Sequence, residues 1–157
     1  MTKFISVSLK SNQLKIKIMN SFENAKSFFH NCESCNGWDA CKEFVAGEGK
    51  FSAQSEPLAE LTTIKEYVDM WAGMGGVTLK GGSYEINASA FNEETNVAIF
   101  FATYTGSHTG EGGPIPPTNK TTISEYVYIL SMNDEDKVER VKKVWNSTWV
   151  MRELGWM

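Results

Sequence analysis

The spacing of apolar residues changes period twice along this chain. Residues 3–18 alternate weakly, with Leu14, Ile16 and Ile18 set against Lys15 and Lys17 after a Ser11-Asn12-Gln13 turn signal. That pattern fits a short edge hairpin or an extension outside the domain. The extension is preferred, which gives residues 1–18 as an N-terminal extension and 19–157 as the domain. From Ser21 onward Phe22, Ala25, Phe28, Phe29 and Cys32 recur three or four apart, the stripe of an amphipathic helix that Asn36-Gly37 ends. Residues 38–46 predict a second short helix with Cys41, Phe44 and Val45 facing in. The glycines at 47 and 49 break the pattern, and residues 51–54 read as a short extended piece. Thr63-x-x-Glu66 is a capping box. Behind it Ile64, Tyr67, Val68, Trp71 and Met74 keep helical spacing until Gly75-Gly76, which predicts the stop.

The second half reads as strands. Residues 82–91 alternate around Tyr84, Ile86, Ala88 and Ala90, and residues 92–96 form a polar turn. Residues 97–105 are apolar on both faces, as in a central strand. Residues 121–132 predict the next strand, and 133–136 a solvated turn. In residues 137–145, Val138, Val141, Val144 and Trp145 fit a helical period better than strict alternation. Trp149, Leu154 and Trp156 close the chain in an aromatic-rich helix or coil. Three helices followed by a meander of strands is an α+β order: one curved antiparallel sheet with its helices gathered on one face. A strongly bent sheet leaves a concave side that helices fill only in part, and so a pocket.

Composition removes several function classes. The chain has 157 residues, about one domain, with a formal charge of -4 and a pI near 5.2. There is no basic field for a phosphate backbone, so no nucleic-acid partner is expected. No apolar run approaches the roughly 20 residues needed to cross a bilayer, so no membrane partner is expected. Lysines spread through the first 18 residues make a poor signal peptide, and the protein is read as cytoplasmic. Cys32, Cys35 and Cys41 are an odd number for a disulfide framework. Cys32-x-x-Cys35 near His30 has no second knuckle for zinc, so no metal is expected and the thiols are read as packing groups.

Candidate chemistry gathers at the connection between residues 97–105 and 121–130. The loop is stiffened by Pro114, Pro116 and Pro117 and carries His108, one of two histidines; Glu125 sits in the following strand. Glu125 alternates with Ile123, Val127 and Ile129. If that face lines the pocket, its carboxyl would be desolvated and suited to acid–base work; if not, it is a solvated glutamate. His108 reads as an assisting catalytic group or as a loop histidine bonded to its glycine-rich rim. Trp38, Tyr67, Trp71, Phe100, Tyr104 and Trp145 are candidate lining residues for a flat apolar ligand, or plain core.

These residues resemble a known family. Gly37-Trp38, the helix at 63–74, His108-x-Gly110-x-Gly112-Gly113-Pro114 followed by Pro116-Pro117-Thr118-x-Lys120, Glu125-Tyr126-Val127-Tyr128, and the ending from Trp145-Asn146 to Leu154-Gly155-Trp156 carry the likeness. Together they resemble the SnoaL-like polyketide-cyclase branch of the nuclear transport factor 2-like superfamily, over residues 20–157. The resemblance implies a cone-shaped, strongly curved antiparallel sheet with three N-terminal helices on its concave face, the cystatin-like fold. It also makes residues 137–145 the last strand, against their helical spacing. It further implies a homodimer and cofactor-independent acid–base chemistry on a small carbonyl or polycyclic substrate, with Glu125 as acid/base and His108 assisting. A non-catalytic module of the same fold, binding an apolar small molecule or serving dimerisation, is the alternative. Asn119 stands where the family loop has glycine, and Asn146 where related ester cyclases carry aspartate.

Overall fold

The computed structural model describes residues 2–157, with side chains from Leu9 onward apart from that of Lys17. Helix α1 runs Thr2–Glu33 without a break. Residues 3–18 therefore form no hairpin; they continue the first helix toward its start, and Leu9, Leu14, Ile16 and Met19 stay exposed along it. The predicted stripe lies in the second half, where Ala25, Phe28, Phe29 and Cys32 are fully buried. The helix ends at Glu33, ahead of Asn36-Gly37. Cys35 takes φ 57°, and Asn36 N–H reaches back to Asn31 O at 3.1 Å while Cys35 N–H reaches Cys32 O at 3.0 Å. This is a Schellman closure with cysteine in the left-handed position that glycine usually fills.

Helix α2 is a single turn, Trp38–Cys41, followed by a 3₁₀ turn over Lys42–Phe44. The predicted second helix is cut short because strand β1, Val45–Ala53, already begins at Val45. Helix α3, Ile64–Gly73, starts at the expected capping box: Thr63 Oγ1 accepts from Glu66 N–H at 3.1 Å, and Glu66 Oε2 accepts from Thr63 N–H at 2.9 Å. The Thr62 and Thr63 backbone N–H groups, both donating to Glu66 Oε2 at 2.9 Å, hold the Glu66 carboxyl down to a pKa of about 2. Gly75-Gly76 do not stop the chain's helical course; they lie inside a π-helical turn, Met74–Thr78. Gly75 is needed there, since a Cβ would stand 2.5 Å from Cys35 Sγ and 3.1 Å from the Trp71 ring.

Strands β2 (Ser83–Asn92), β3 (Val97–Ser107), β4 (Thr121–Met132) and β5 (Val138–Trp145) complete one five-stranded sheet in the order β1-β5-β4-β3-β2. The sheet is mixed rather than purely antiparallel, because β1 pairs parallel with β5. A strand placed before the helical hairpin's return and a strand at the chain's end meet this way through a crossover that contains α3. Helix α4, Ser147–Leu154, is capped by the Asn146 side chain, which accepts from Trp149 N–H at 3.1 Å.

Residues 137–145 are strand, and a pairing irregularity explains their helical look. Met132 pairs with Val138 but Ser131 pairs with Arg140, so Glu139 is an extra residue in β5. Val138 and Val141 therefore both face inward although three apart. Beyond the bulge ordinary alternation resumes: Val141 and Lys143 are buried, and Val144 is exposed. The core lies between this inner face and α1 and α3. Phe29 stacks on Phe100 with centroids 4.8 Å apart and meets Tyr128 edge-on at 5.1 Å, while Phe51 stacks on Tyr67 at 4.3 Å.

Candidate functional site

Register decides which side chains share the inner face. Tyr126 pairs with Trp145 and Tyr128 with Lys143 across β4 and β5, so these four lie side by side. Glu33, in the last turn of α1, stands four residues beyond Phe29 on the buried stripe and is 4% exposed. It accepts a hydrogen bond from Tyr126 Oη at 2.5 Å and a very short one from Tyr128 Oη. Tyr128 Oη in turn meets Tyr67 Oη, and Tyr67 Oη accepts from Lys143 Nζ at 2.8 Å. Since Tyr128 donates to Glu33, its oxygen takes the Tyr67 proton, and Tyr67 takes one from Lys143. The result is a continuous donor chain from amine to carboxylate through two phenols.

Lys143 is 6% exposed and, among the described residues, forms no ion pair with a carboxylate. Its ammonium instead faces the rings of Tyr67, Trp71, Tyr126, Tyr128 and Trp145 at 4.9 to 5.3 Å from their centroids. Burial pushes its pKa below 10.5, and the Glu33 charge opposes that shift without cancelling it. Burial pushes the phenols of Tyr67, Tyr126 and Tyr128 well above 10, with the Glu33 charge acting in the same direction.

Glu33, Tyr67, Tyr126 and Lys143, with Thr122 and Ser124, form the polar part of a largely apolar cavity of about 270 Å³, lined also by Leu58, Met70, Met74 and Leu79, and from α4 onward by Val150, Leu154 and Trp156. Two more polar atoms of the lining residues are buried without a hydrogen-bond partner among the described residues: Trp71 Nε1 and Tyr104 Oη. Tyr104 Oη is seated between Gly82 and Gly106, where an added Cβ would come within 2.0 and 2.8 Å. No larger residue fits at either glycine.

Of the residues singled out from the sequence, Tyr67, Trp71, Tyr104 and Trp145 line this cavity. Phe100 does not; it is fully buried core, stacked on Phe22 and Phe29. Trp38 packs against the core from α2 and is likewise outside the lining. Glu125 is exposed on the outer face of β4, opposite Thr103, because Ser124 and Tyr126 take the inner face. His108 is on the inner side and fully buried, so the expected Glu125–His108 pair is split by the thickness of the sheet.

His108 also stands behind the cavity wall rather than in it. Its Nδ1 accepts from Trp156 Nε1–H at 2.9 Å, its ring meets Trp156 edge-on at 5.1 Å, and Thr118 Oγ1 donates to Leu154 O at 2.7 Å. Indole is a donor only, so Nδ1 carries no proton and the neutral ring holds it on Nε2. Gly113 leaves room for that edge, since a Cβ there would lie 2.7 Å from Nε2. The histidine and its loop thus tie the C-terminus, with Trp156, over the cavity. Asn119 takes φ 57°, the left-handed conformation that asparagine adopts more readily than most other non-glycine residues.

Glu33 and Lys143 escaped the sequence reading, though each left a signal. Glu33 extends the Phe29 stripe by one helical turn. Lys143 shares strand parity with Trp145. The three cysteines are free thiols, and burial raises Cys35 to about 11 and Cys41 to about 12, so they are protonated packing groups.

No protein-family model and no curated protein matches this chain. Solved structures do. A candidate SnoaL-like polyketide cyclase from Jannaschia sp. CCS1 superposes with a TM-score of 0.70 at 14% identity, over 87% of this chain and 92% of the other. AclR, a candidate hydroxylase from Streptomyces galilaeus, gives 0.70 at 14% identity over 89% and 98%. An NTF2-like protein from Burkholderia xenovorans LB400 gives 0.63 at 13% over 87% and 97%. The chain therefore has the nuclear transport factor 2-like, cystatin-like α+β fold, the fold that the sequence motifs resemble. At such identities the likeness concerns architecture, and function must be argued from the site. Among the described residues, no helix is long and apolar enough to cross a membrane.

Proposed function

We propose that the protein is a cofactor-independent enzyme that performs acid–base chemistry on a small, largely apolar carbonyl compound held in this cavity. The observation that carries the reading is a buried carboxylate and a buried amine, joined by phenolic hydroxyls, in the wall of a largely apolar hollow. Glu33 is the group to remove a proton beside the carbonyl. The Tyr67–Lys143 end of the chain supplies donors to the oxygen where negative charge develops. The fold's occurrence among candidate polyketide cyclases is consistent with such a substrate. Exchange of the α-protons of a bicyclic benzo-fused ketone such as 2-tetralone in D₂O, followed by NMR, tests this: Glu33→Gln is expected to abolish protein-dependent exchange, and undiminished exchange in that variant overturns the assignment.

Binding without turnover is the second reading, favoured by the fact that both Glu33 oxygens already accept tyrosine hydroxyls. It predicts a ketone that binds but does not exchange. The outer sheet face, where Ile123 and Val144 are exposed beside Trp149 of α4, supports a homodimer formed through that face. Native mass spectrometry gives both the oligomeric mass and any co-purifying small molecule.

A further inference from the structure

Lys143 is chemically out of place as a cation. A lysine that serves only to complete a buried charge pair would be expected to meet its carboxylate directly, yet this one reaches Glu33 through two phenols. Besides its bond to Tyr67 Oη it faces five aromatic rings, and it lines the cavity together with Trp145 and Trp71. Its donor chain also provides a way to discharge it. If Lys143 gives a proton to Tyr67, Tyr67 gives one to Tyr128 and Tyr128 gives one to Glu33, the ammonium becomes a free amine and the carboxylate a carboxylic acid. No ion then remains buried, and the depressed basicity of Lys143 favours that state.

We propose that Lys143 is a nucleophile that captures an aldehyde or ketone in the cavity as an imine, a step that rests on the cavity accepting a carbonyl compound. The neutral Nζ attacks the carbonyl carbon and the C=O π electrons move to oxygen. Tyr67 passes the surplus nitrogen proton to that oxygen, giving a neutral carbinolamine. The nitrogen lone pair then expels the hydroxyl, which leaves as water with the proton returned from Glu33 along Tyr128 and Tyr67. The products are an iminium cation on Lys143, a Glu33 carboxylate and one water. Charge and protons balance against the starting ammonium, carboxylate and carbonyl, with no oxidant or further reactant. The iminium makes the neighbouring C–H acidic, and the regenerated carboxylate shares the same wall to accept that proton. Burial in an apolar wall is the setting in which lysine becomes a nucleophile near neutrality.

The test is reductive trapping. Wild-type protein is incubated at pH 7 with 2-naphthaldehyde and sodium cyanoborohydride, and the position of the naphthylmethyl adduct is mapped by peptide mass spectrometry. A lowered amine pKa raises the neutral fraction that attacks the aldehyde, so Lys143 is expected to be labelled ahead of every exposed lysine, its adduct dominating the map at short times. Lys143→Arg, which keeps the charge but not the nucleophile, is expected to lose that adduct. Label confined to exposed lysines in the wild-type protein overturns the proposal and does not depend on any variant folding. The ketone exchange assay separates the two claims. Exchange without a Lys143 adduct defeats the imine and leaves the acid–base reading; an adduct without exchange does the reverse.

Discussion

Replacing one end of the buried network and then both gives the sharpest measure of whether Glu33 and Lys143 support each other electrostatically. Both groups are more than nine-tenths buried, and they communicate through Tyr128 and Tyr67. Glu33→Gln keeps an acceptor for the tyrosine hydroxyls but removes the charge that offsets Lys143. Lys143→Met keeps an unbranched apolar stem, one atom shorter, among the same rings but leaves Glu33 without a counter-charge. Losing one partner of a buried pair costs about 3–5 kcal/mol, and we take the lower end, about 3 kcal/mol for each single change, because the protein can shed the charge by proton transfer. The double variant leaves no buried ion at all. It is expected to be destabilised by about 3–4 kcal/mol rather than the additive 6, a coupling of about 2–3 kcal/mol that lies within the range for groups in one network. Urea unfolding at pH 7, followed by tryptophan fluorescence with m held to its wild-type value, reads each corner of the cycle. Strict additivity, or a Glu33→Gln cost below about 1 kcal/mol, would falsify the electrostatic link.

Alkaline pH tests the phenols. Tyr67, Tyr104, Tyr126 and Tyr128 all have folded-state pKa values raised above the ordinary 10.0, so their contribution is fully present below pH 10 and declines as pH rises past it. Four such groups give a slope of up to about 5 kcal/mol per pH unit above pH 10. Lys143 works the other way, since its folded pKa is depressed: stability rises between that value and 10.5 as the burial penalty on the charged amine disappears. Burial likewise raises the Cys32, Cys35 and Cys41 thiols above their ordinary 9.0, so their contribution declines from pH 9 upward. Urea midpoints at pH 9, 10 and 11 should therefore fall most steeply in the last interval, where the phenols join the thiols, and a flat profile from pH 10 to 11 would contradict the buried tyrosine cluster. Glu125→Gln, on the outer face, is expected to change stability by less than about 0.5 kcal/mol and to leave ketone exchange as it is; a loss of exchange would restore Glu125 to the reaction.

Much of the architecture was written locally. The capping box at Thr63 and Glu66, the buried stripe from Ala25 to Cys32, and the alternation in β4 each follow from interactions within a few residues, and such patterns survive into the fold. Residues 137–145 mark where local pattern fails. An apolar Val144 faces out and a charged Lys143 faces in, because β5 must pair with β4 on one side and β1 on the other, and the bulge at Glu139 resets which residues point inward. Nothing within that segment encodes its neighbours' register. The same holds for the site. Alternation established that Glu125 and Tyr126 take opposite faces of one strand, but which face received the helices was a matter of long-range packing, and α1 covered the tyrosine side. Helix α1 thereby brought Glu33 to Tyr126 and Tyr128, residues 93 and 95 positions away along the chain. Chemistry assembled across such separations depends on how faces meet, and a sequence read in windows sees each face alone.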